Sequence, residues 1–268
     1  MPEQYVPAAE VPTGPVEVPA AVARIAGAAP VVPVWVNELG GLTFRVGRDR
    51  YVKWVAAGTR GLDLAAEAER LAWAAPFTSV PRVLASGADD AGSWLVTAAL
   101  DGRSAVDPYW LARPVEAATA IGRGLRALHD ALPVGSCPYA WSVRDRLGRA
   151  LENLDAGDTP ASWAPEHRAM TAAEARYRLT DPPDADVLVV CHADACAPNT
   201  LLADDGSVTG HVDLGRLGVA DRWADLAVAA WSVDWNHGPG YDHHVYAGYG
   251  VEPDPERIAY YRLLWDAS

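Results

Sequence analysis

Residues 187–222, VLVVCHADACAPNTLLADDGSVTGHVDLGRLGVADR, alternate short apolar runs with polar loops. The apolar runs at 187–191, 200–203 and 208–212 are rich in β-branched residues, which is typical of strands. The sequence DDGS at 204–207 is a hairpin turn signal between the last two runs. We therefore expect strands to hold the polar loops rigidly in place.

The two polar loops carry a pattern typical of phosphoryl transfer. HADACAPN at 192–199 has the His-x-Asp-x-x-x-x-Asn spacing of a kinase catalytic loop, and DLG follows at 213–215. This chemistry needs a carboxylate that orients the attacking hydroxyl and accepts its proton, and hard oxygen ligands for Mg²⁺. Asp194 suits the first task, and Asn199 and Asp213 suit the second. The hairpin predicts that both metal ligands return to one end of the sheet. Such residues are common in any turn, but both signatures in this order favour a kinase.

HADACAPN followed by HVDLGRLGVADRWADLA at 211–227 resembles the aminoglycoside phosphotransferase family, especially its 3′- and 3″-phosphotransferases, over roughly residues 34–268. The family block reads approximately HGDACxPN and then IDxGRxGxADRxxDLA. Ala193 therefore stands where glycine is usual, and its methyl group is expected to tighten the loop. The resemblance implies an α+β, bilobal protein-kinase-like fold with a small β-rich N-lobe and a larger, mainly helical C-lobe. It also implies Asp194 as the catalytic base.

Further roles follow from the resemblance alone. It implies that Arg216 contacts the substrate or the transferring phosphate, and that Asp221 and Asp225 are scaffold residues. For Asp221 we prefer the simpler interpretation, because an acid at a helix start stabilises the helix dipole and the free N–H groups. Ala98 and Leu100 would supply main-chain hydrogen bonds to adenine, although a simple edge strand fits their segment as well.

Lys53 is the only lysine among the 22 lysine and arginine residues. A strand position facing nucleotide phosphates requires a compact ammonium, whereas the alternative is an ordinary surface lysine. The helix predicted at 62–75 carries Glu67 and Glu69, which point about 200° apart, so that only one can face Lys53. The family pattern, with a glutamate six residues before Trp73, implies Glu67 and leaves Glu69 solvated.

The acceptor end of the chain departs from the family. In 3′-phosphotransferases the C-terminal helix ends in an acidic and aromatic run that binds aminoglycoside amines, whereas here Trp265 replaces one carboxylate and Asp266 remains. Trp231 and Trp235 lie where relatives often have charged substrate contacts. We expect these residues to favour an acceptor with fewer cations, streptomycin-like ahead of kanamycin-like. The alternative is that the tryptophans are buried between helices.

Composition limits the classes of function. The net charge of −13 and pI near 4.9 argue against nucleic-acid or anionic-membrane partners and fit a cationic small-molecule acceptor, although an acidic surface is also a common solubility device. No apolar run approaches about 18 residues, and no signal-peptide pattern opens the sequence, so we expect a cytoplasmic protein. We also expect a monomer. Cys137, Cys191 and Cys196 fit no disulfide or zinc pattern and are expected to be reduced and inert.

The expected organisation is a flexible leader at 1–18, a nucleotide-binding lobe at 19–98 and a catalytic and substrate-binding lobe at 99–268. Further helices are predicted at 19–28, 113–132, 142–153 and 165–179. The apolar face expected in the second of these consists of Val115, Ala118, Ile121, Leu125 and Leu128.

The sequence thus predicts ATP- and Mg²⁺-dependent phosphorylation of a hydroxyl on a small cationic molecule, with GTP as an alternative donor. A protein kinase is disfavoured because no Ala-Pro-Glu segment follows Asp213. A kinase of a metabolic sugar, amino sugar or fructosamine is one alternative. A nucleotide-binding protein without catalysis is another.

Overall fold

A computed structural model describes residues 11–268, and its contacts divide them into two compact units. The N-terminal unit consists of residues 11–101 and Gly210–Gly215. The C-terminal unit consists of Gly102–Thr209 and Arg216–Ser268.

The first unit is rich in β-strands and the second is mainly helical, which confirms the predicted α+β class. Of the expected leader at 1–18, residues 1–10 lie outside the described part of the chain. The lobe limits that the sequence suggests, 19–98 and 99–268, remain a prediction.

An antiparallel sheet with two helices forms the N-terminal unit. The strands pair in the order β1-β2-β3-β5-β4. The elements are α1 (Ala20–Ala26), β1 (Val31–Val36), β2 (Leu42–Val46), β3 (Arg50–Ala56), α2 (Leu64–Ala74), β4 (Val83–Asp89) and β5 (Gly92–Ala98).

The strand β4 has no counterpart in the sequence prediction. Its sequence, VLASGAD, contains few of the β-branched and aromatic residues that identify strands. Six of its seven residues nevertheless pair with β5, because the partner strand supplies the hydrogen bonds that propensity does not indicate.

The two faces of this sheet have different environments. Phe44, Val52 and Val96 are buried in one apolar cluster together with Val22 of α1. Successive side chains of a strand point to opposite faces, so Lys53, next to Val52, is directed to the other face. This arrangement allows one short strand to contribute both to the core and to a polar site.

Helices dominate the C-terminal unit. Its elements are β6 (Arg103–Ser104), α3 (Pro108–Leu111), α4 (Pro114–Ala131), α5 (Val143–Asp155), α6 (Ala172–Leu179), β7 (Leu188–Cys191), β8 (Thr200–Leu202), β9 (Val208–His211, whose end belongs to the N-terminal unit), β10 (Gly218–Asp221), α7 (Trp223–His237), α8 (His243–Tyr249) and α9 (Pro255–Ala267).

The strands that flank the polar loops are present as predicted, with one addition. β8 and β9 pair beside β6, and the turn between them is closed by hydrogen bonds from Ala203 N to Ser207 O and from Gly206 N to Ala203 O. β10 pairs antiparallel with β7, although its four residues, GVAD, lie in a segment for which the sequence predicts no strand. β10 therefore secures the strand that leads into the catalytic-loop motif.

Two helix predictions need correction. The helix expected at 165–179 begins only at Ala172, because Thr171 and Glu174 form a capping box at its start. The side chain of Thr171 accepts a hydrogen bond from Glu174 N, and the carboxylate of Glu174 accepts one from Thr171 N. In α4, Ala118, Ile121, Leu125 and Leu128 are buried, but Val115 is 45% exposed and does not belong to the apolar face.

No helix within residues 11–268 combines the length and apolar character needed to cross a bilayer.

Candidate active site

Lys53 lies in the middle of β3, directed away from the apolar cluster. Its Nζ is 2.7 Å from Oε1 of Glu67 and 2.8 Å from Oδ1 of Asp213. Glu67 is buried and shares one stripe of α2 with Leu64 and Leu71, whereas Glu69 is exposed. These contacts confirm the predicted pairing of Lys53 with Glu67.

The two carboxylates determine the charge state of the ammonium. Burial by itself lowers the pKa of Lys53, but the attraction of Asp213 and of Glu67, with a hydrogen bond from each, raises that pKa above its ordinary value. Lys53 is therefore cationic at every physiological pH. An ammonium held between two carboxylates suits the binding of nucleotide phosphates, and this role of Lys53 and Glu67 remains a prediction.

Asp213 adopts a backbone conformation that is unusual for its type, with φ at +66°. The left-handed region costs a non-glycine residue of order 1–2 kcal/mol, and such strain is concentrated at functional sites. Its side chain is 42% exposed while one oxygen contacts Lys53. The turn at 213–215 therefore presents a partly accessible carboxylate.

The loop at 192–199 follows β7 and is anchored by one buried carboxylate. His192 N and Ala193 N donate to the two oxygens of Asp225, at 2.6 and 2.8 Å. Asp225 lies in the first turn of α7 and is fully buried. Asp225 is thus a scaffold residue, as the resemblance implied.

Ala193 itself has a φ of +69°, in the region where glycine is favoured. This explains why glycine is usual in the family at this position. The methyl group therefore strains the loop backbone, where the sequence had suggested only a tighter loop.

A buried hydrogen-bonded chain supports Asp225. Nε2 of His129 is 2.9 Å from Oδ2 of Asp225, and Nδ1 of His129 is 2.9 Å from the hydroxyl of Tyr249. Burial raises the pKa of Asp225, but the hydrogen bond and charge of His129 outweigh burial and lower that pKa below its ordinary value. These contacts give His129 a structural role.

His129, Cys191 and Asp225 place possible metal-ligand atoms within 4.8 Å of one another. Both ring nitrogens of His129 are already hydrogen-bonded. Burial raises the pKa of the Cys191 thiol, so it stays protonated, and its Sγ lies 3.3 Å from the carbonyl of Asp221. A metal prefers thiolate and an unshared imidazole nitrogen, so this cluster is a hydrogen-bonded scaffold.

Asp194 and Asn199 are joined through the loop backbone. Asp194 N donates to Nδ1 of His192 at 3.2 Å, and Nδ2 of Asn199 donates to the carbonyl of Asp194 at 3.0 Å. Because Nδ2 is used in this way, the orientation of the Asn199 amide is defined. Its amide oxygen, like the carboxylate of Asp213, is a donor type that Mg²⁺ prefers.

The predicted metal ligands belong to different units, Asn199 to the C-terminal unit and Asp213 to the N-terminal unit. That they share one ion remains a prediction from the sequence. Ala98 is the last residue of β5, and its N–H donates to Arg82 O at 2.9 Å. The adenine contacts of Ala98 and Leu100 remain a prediction.

Arg216 follows the DLG turn and packs against aromatic rings. Its guanidinium carbon is 5.6 Å from the ring centre of Trp141 and 5.8 Å from that of Trp265. Arg216 and Asp194 both influence the pKa of Cys196, which is raised chiefly by burial and next by the charge of Asp194. The guanidinium therefore lies in the neighbourhood of the proposed base, and its role in catalysis remains a prediction.

The three predicted acceptor contacts have different environments. The side chain of Asp266 is 4% exposed, and its Oδ2 accepts hydrogen bonds from Ala164 N and from the ring of His167. Trp231 is 4% exposed and packs between helices, which is the alternative that the sequence left open. Trp235 stacks beside it and remains partly exposed. Their contact with an acceptor remains a prediction.

One further residue that anchors the loop at 192–199 was not predicted from the sequence. The hydroxyl of Ser232, a buried residue of α7, accepts a hydrogen bond from Ala197 N at 2.9 Å. Ser232 lies seven residues after Asp225, two turns along the same helix face. That spacing is the signal that could have identified Ser232.

Comparison with known proteins covers most of the chain. The model of the phosphotransferase enzyme family matches residues 38–261. The aminoglycoside 3′-phosphotransferase of Streptomyces fradiae is 38% identical over 212 residues, covering 75% of this chain and 78% of the relative. The streptomycin 3″-kinase of Streptomyces griseus is 37% identical over 249 residues, covering 86% of this chain and 89% of the relative.

A solved structure shows the same architecture. The aminoglycoside phosphotransferase APH(3″)-Id from Streptomyces rimosus, in complex with ADP and streptomycin, is 28% identical with a TM-score of 0.72. The match covers 92% of this chain and 95% of that chain.

Proposed function

The chain belongs to the phosphotransferase enzyme family, and from this membership we propose that it transfers the γ-phosphoryl group of ATP to a hydroxyl of an aminoglycoside or aminocyclitol antibiotic. It is an enzyme of the aminoglycoside phosphotransferase class. Beyond this class, we propose ATP as the phosphoryl donor, a dependence on Mg²⁺ and a role for each of the site residues.

The observation that carries the proposal is the position of the Lys53 ammonium, 2.7 Å from Glu67 and 2.8 Å from Asp213. Glu67 holds the ammonium in place from a buried helix position. Lys53 would then bind the α- and β-phosphates of the nucleotide, as the lysine of kinase-like sites does. The protonated state of Lys53 supports this role, because it supplies a full positive charge to the phosphates.

The proposed chemical step uses Asp194 as the general base. Its carboxylate accepts the proton of the acceptor hydroxyl while that oxygen forms a bond to the γ-phosphorus and the bond to the ADP oxygen breaks. The loop backbone that carries Asp194 is held by Asp225 and Ser232, so the carboxylate needs little reorganisation. Arg216 would stabilise negative charge on the transferred group.

Bound Mg²⁺ would supply charge neutralisation at the phosphates. The amide oxygen of Asn199 and the carboxylate of Asp213 fit the hard oxygen donors that this ion prefers. Asn199 is kept in one orientation by its bond to the Asp194 carbonyl, and Asp213 by its bond to Lys53. We propose these two residues as the protein ligands.

For the acceptor we propose streptomycin-like molecules ahead of kanamycin-like ones. The streptomycin 3″-kinase matches a larger share of this chain than the 3′-phosphotransferase does. Trp235 and Trp265 are partly exposed, and indoles favour an acceptor with an apolar or guanidino face. We further propose that the enzyme acts as a monomer in the cytoplasm.

An acceptor screen that measures ADP release tests the proposal. Streptomycin, kanamycin, neomycin, amino sugars and a fructosamine are compared at fixed ATP and Mg²⁺, with Asp194→Asn as the inactive control. We expect turnover on streptomycin to exceed turnover on kanamycin. Turnover confined to amino sugars or fructosamine would indicate a metabolic acceptor in place of an antibiotic. ATP binding without turnover of any of these compounds would favour a nucleotide-binding protein without catalysis.

A further inference from the structure

Three guanidinium groups of the C-terminal unit are gathered around the indole of Trp141. The guanidinium carbons of Arg149, Arg146 and Arg216 lie 4.5, 5.3 and 5.6 Å from its ring centre. We call these three residues with Trp141 the arginine cluster.

Helix geometry brings two of the arginines together. Ser142 caps α5 by accepting a hydrogen bond from Asp145 N, which sets the start of the helix. Arg146 and Arg149 are three residues apart and therefore lie on one helix face. Arg216 joins them from the segment that follows the DLG turn. Burial decreases from Arg146, which is 1% exposed, through the partly buried Arg216 to the exposed Arg149.

The arginine cluster has no carboxylate partner within the described residues. Arg146 donates through Nε to the hydroxyl of Ser268 at 3.2 Å, while its buried Nη1 has no hydrogen-bond partner. No ion pair involves any of the three guanidinium groups across residues 11–268. Asp145, which precedes Arg146, attracts Arg149 only through longer-range electrostatics.

Mutual repulsion adds to the cost of this arrangement. Burial lowers the pKa of Arg146 to about 9, with further lowering from the charges of Arg216 and Arg149. The pKa of Arg149 is also lowered, first by burial and then by Arg216. The chain has 35 acidic residues that could have neutralised these cations. A fold that leaves them unpaired is suited to an anion from solution.

We propose that the arginine cluster is a binding site for a phosphate group. Guanidinium forks match the oxygens of phosphate, and the gradient of burial leaves Arg149 at the entrance with the orphan Nη1 of Arg146 inside. Arg216 follows directly after the DLG turn at 213–215, and its charge, like that of Asp194, acts on the Cys196 thiol. Resting on the proposed function, the phosphate is the monoester of the phosphorylated acceptor, which the cluster holds after transfer.

Calorimetric titration with inorganic phosphate, without nucleotide or acceptor and at constant ionic strength, tests the site. Arg149→Gln removes the exposed guanidinium, and Arg144→Gln is the matched control because it is an exposed arginine of the same helix. We expect Arg149→Gln to weaken phosphate binding about tenfold, as expected for loss of one charged hydrogen bond, and Arg144→Gln to leave it unchanged. Equal effects of both variants, or equal binding of acetate and phosphate, would overturn the proposal.

Two further measurements show whether the bound phosphate belongs to the product or to the nucleotide. They also separate failure of the phosphate site from failure of the proposed function. Inhibition by the phosphorylated acceptor should weaken in Arg149→Gln by the same factor, whereas binding of ADP should not change. Loss of ADP binding instead would assign the cluster to the nucleotide and overturn the product assignment. If phosphate binding depends on Arg149 but the protein turns over no acceptor, the phosphate site is supported and the proposed kinase function is refuted. Turnover without such binding would refute the site alone.

Discussion

Asp225→Asn tests whether one buried carboxylate holds the catalytic loop. The carboxylate accepts hydrogen bonds from His192 N at 2.6 Å and Ala193 N at 2.8 Å, and it is hydrogen-bonded to Nε2 of His129 at 2.9 Å. An asparagine keeps one acceptor oxygen and turns an NH₂ group towards a donor. We expect the loop to lose its fixed geometry while the surrounding helices remain folded.

The expected magnitude follows from these contacts. A hydrogen bond to a charged group contributes about 1.5–3 kcal/mol, and removal of one partner of a buried charged network costs about 3–5 kcal/mol. We therefore expect the free energy of unfolding to fall by about 3–5 kcal/mol. Turnover should fall with it, because Asp194 lies on the same loop. Nucleotide affinity should change much less, since Lys53 and Glu67 lie in the other unit.

Urea unfolding followed by the fluorescence of the eleven tryptophans measures the free energy of unfolding. Asp130→Asn is the matched control, since its carboxylate pairs with Arg126 on an exposed helix surface. A loss of less than about 1 kcal/mol in Asp225→Asn, or a loss no larger than the control shows, would refute the anchoring role.

The same carboxylate predicts a pH dependence. Because the pKa of Asp225 in the folded protein is below its ordinary value of 3.8, its contribution to stability is complete above that ordinary value. The contribution is lost as the pH falls through the lower, folded-state pKa. Asp225→Asn should therefore reduce the difference in stability between neutral and strongly acid solution. An unchanged difference would contradict this linkage.

Five other substitutions test individual roles. Lys53→Arg should lose most turnover at saturating ATP, because a planar guanidinium cannot take the place of a compact ammonium between two carboxylates; activity within a few-fold of the parent would contradict this. Asp194→Asn should retain nucleotide binding but lower turnover by about 10²–10⁴, and equal loss of both would indicate a folding defect instead. Asn199→Ala and Asp213→Ala should change the Mg²⁺ dependence of the rate at fixed ATP, and no change in either would assign the metal to other residues. Ala193→Gly should relieve the left-handed strain of about 1–2 kcal/mol, partly offset by the greater flexibility of unfolded glycine, so urea unfolding should show equal or slightly higher stability; a clear loss would contradict the strain.

Local spacing was sufficient for the parts of the site that lie on single elements. Glu67 was distinguishable from Glu69 because two positions on a helix face opposite directions, and the structure places Glu67 against Lys53. The structural role of His129 was predictable because no nucleophile or metal-ligand pattern accompanied it. The polar loops and their flanking strands were recognisable from the order of residue types alone.

Local spacing failed where distant segments decide the outcome. β4 forms because β5 pairs with it, and Val115 is 45% exposed because the tertiary packing of α4 buries other positions of the helix. The carboxylate of Asp266 bonds the ring of His167, about one hundred residues earlier, and no local pattern indicates this partner. The proton-accepting capacity of a carboxylate is a property of its residue type, whereas its partner is a property of packing.

The sequence by itself determined the chemistry: which residues can accept a proton, which can bind hard cations, and the α+β class that presents them. Only the tertiary structure decided how Asp225 and Ser232 hold the loop at 192–199, that Ala193 and Asp213 adopt left-handed backbone conformations, and that three arginines converge on Trp141 without a carboxylate partner among the described residues. The physical reason is that residue types and periodicity are local, while burial, backbone strain and the pairing of charges arise from contacts between segments far apart in the chain.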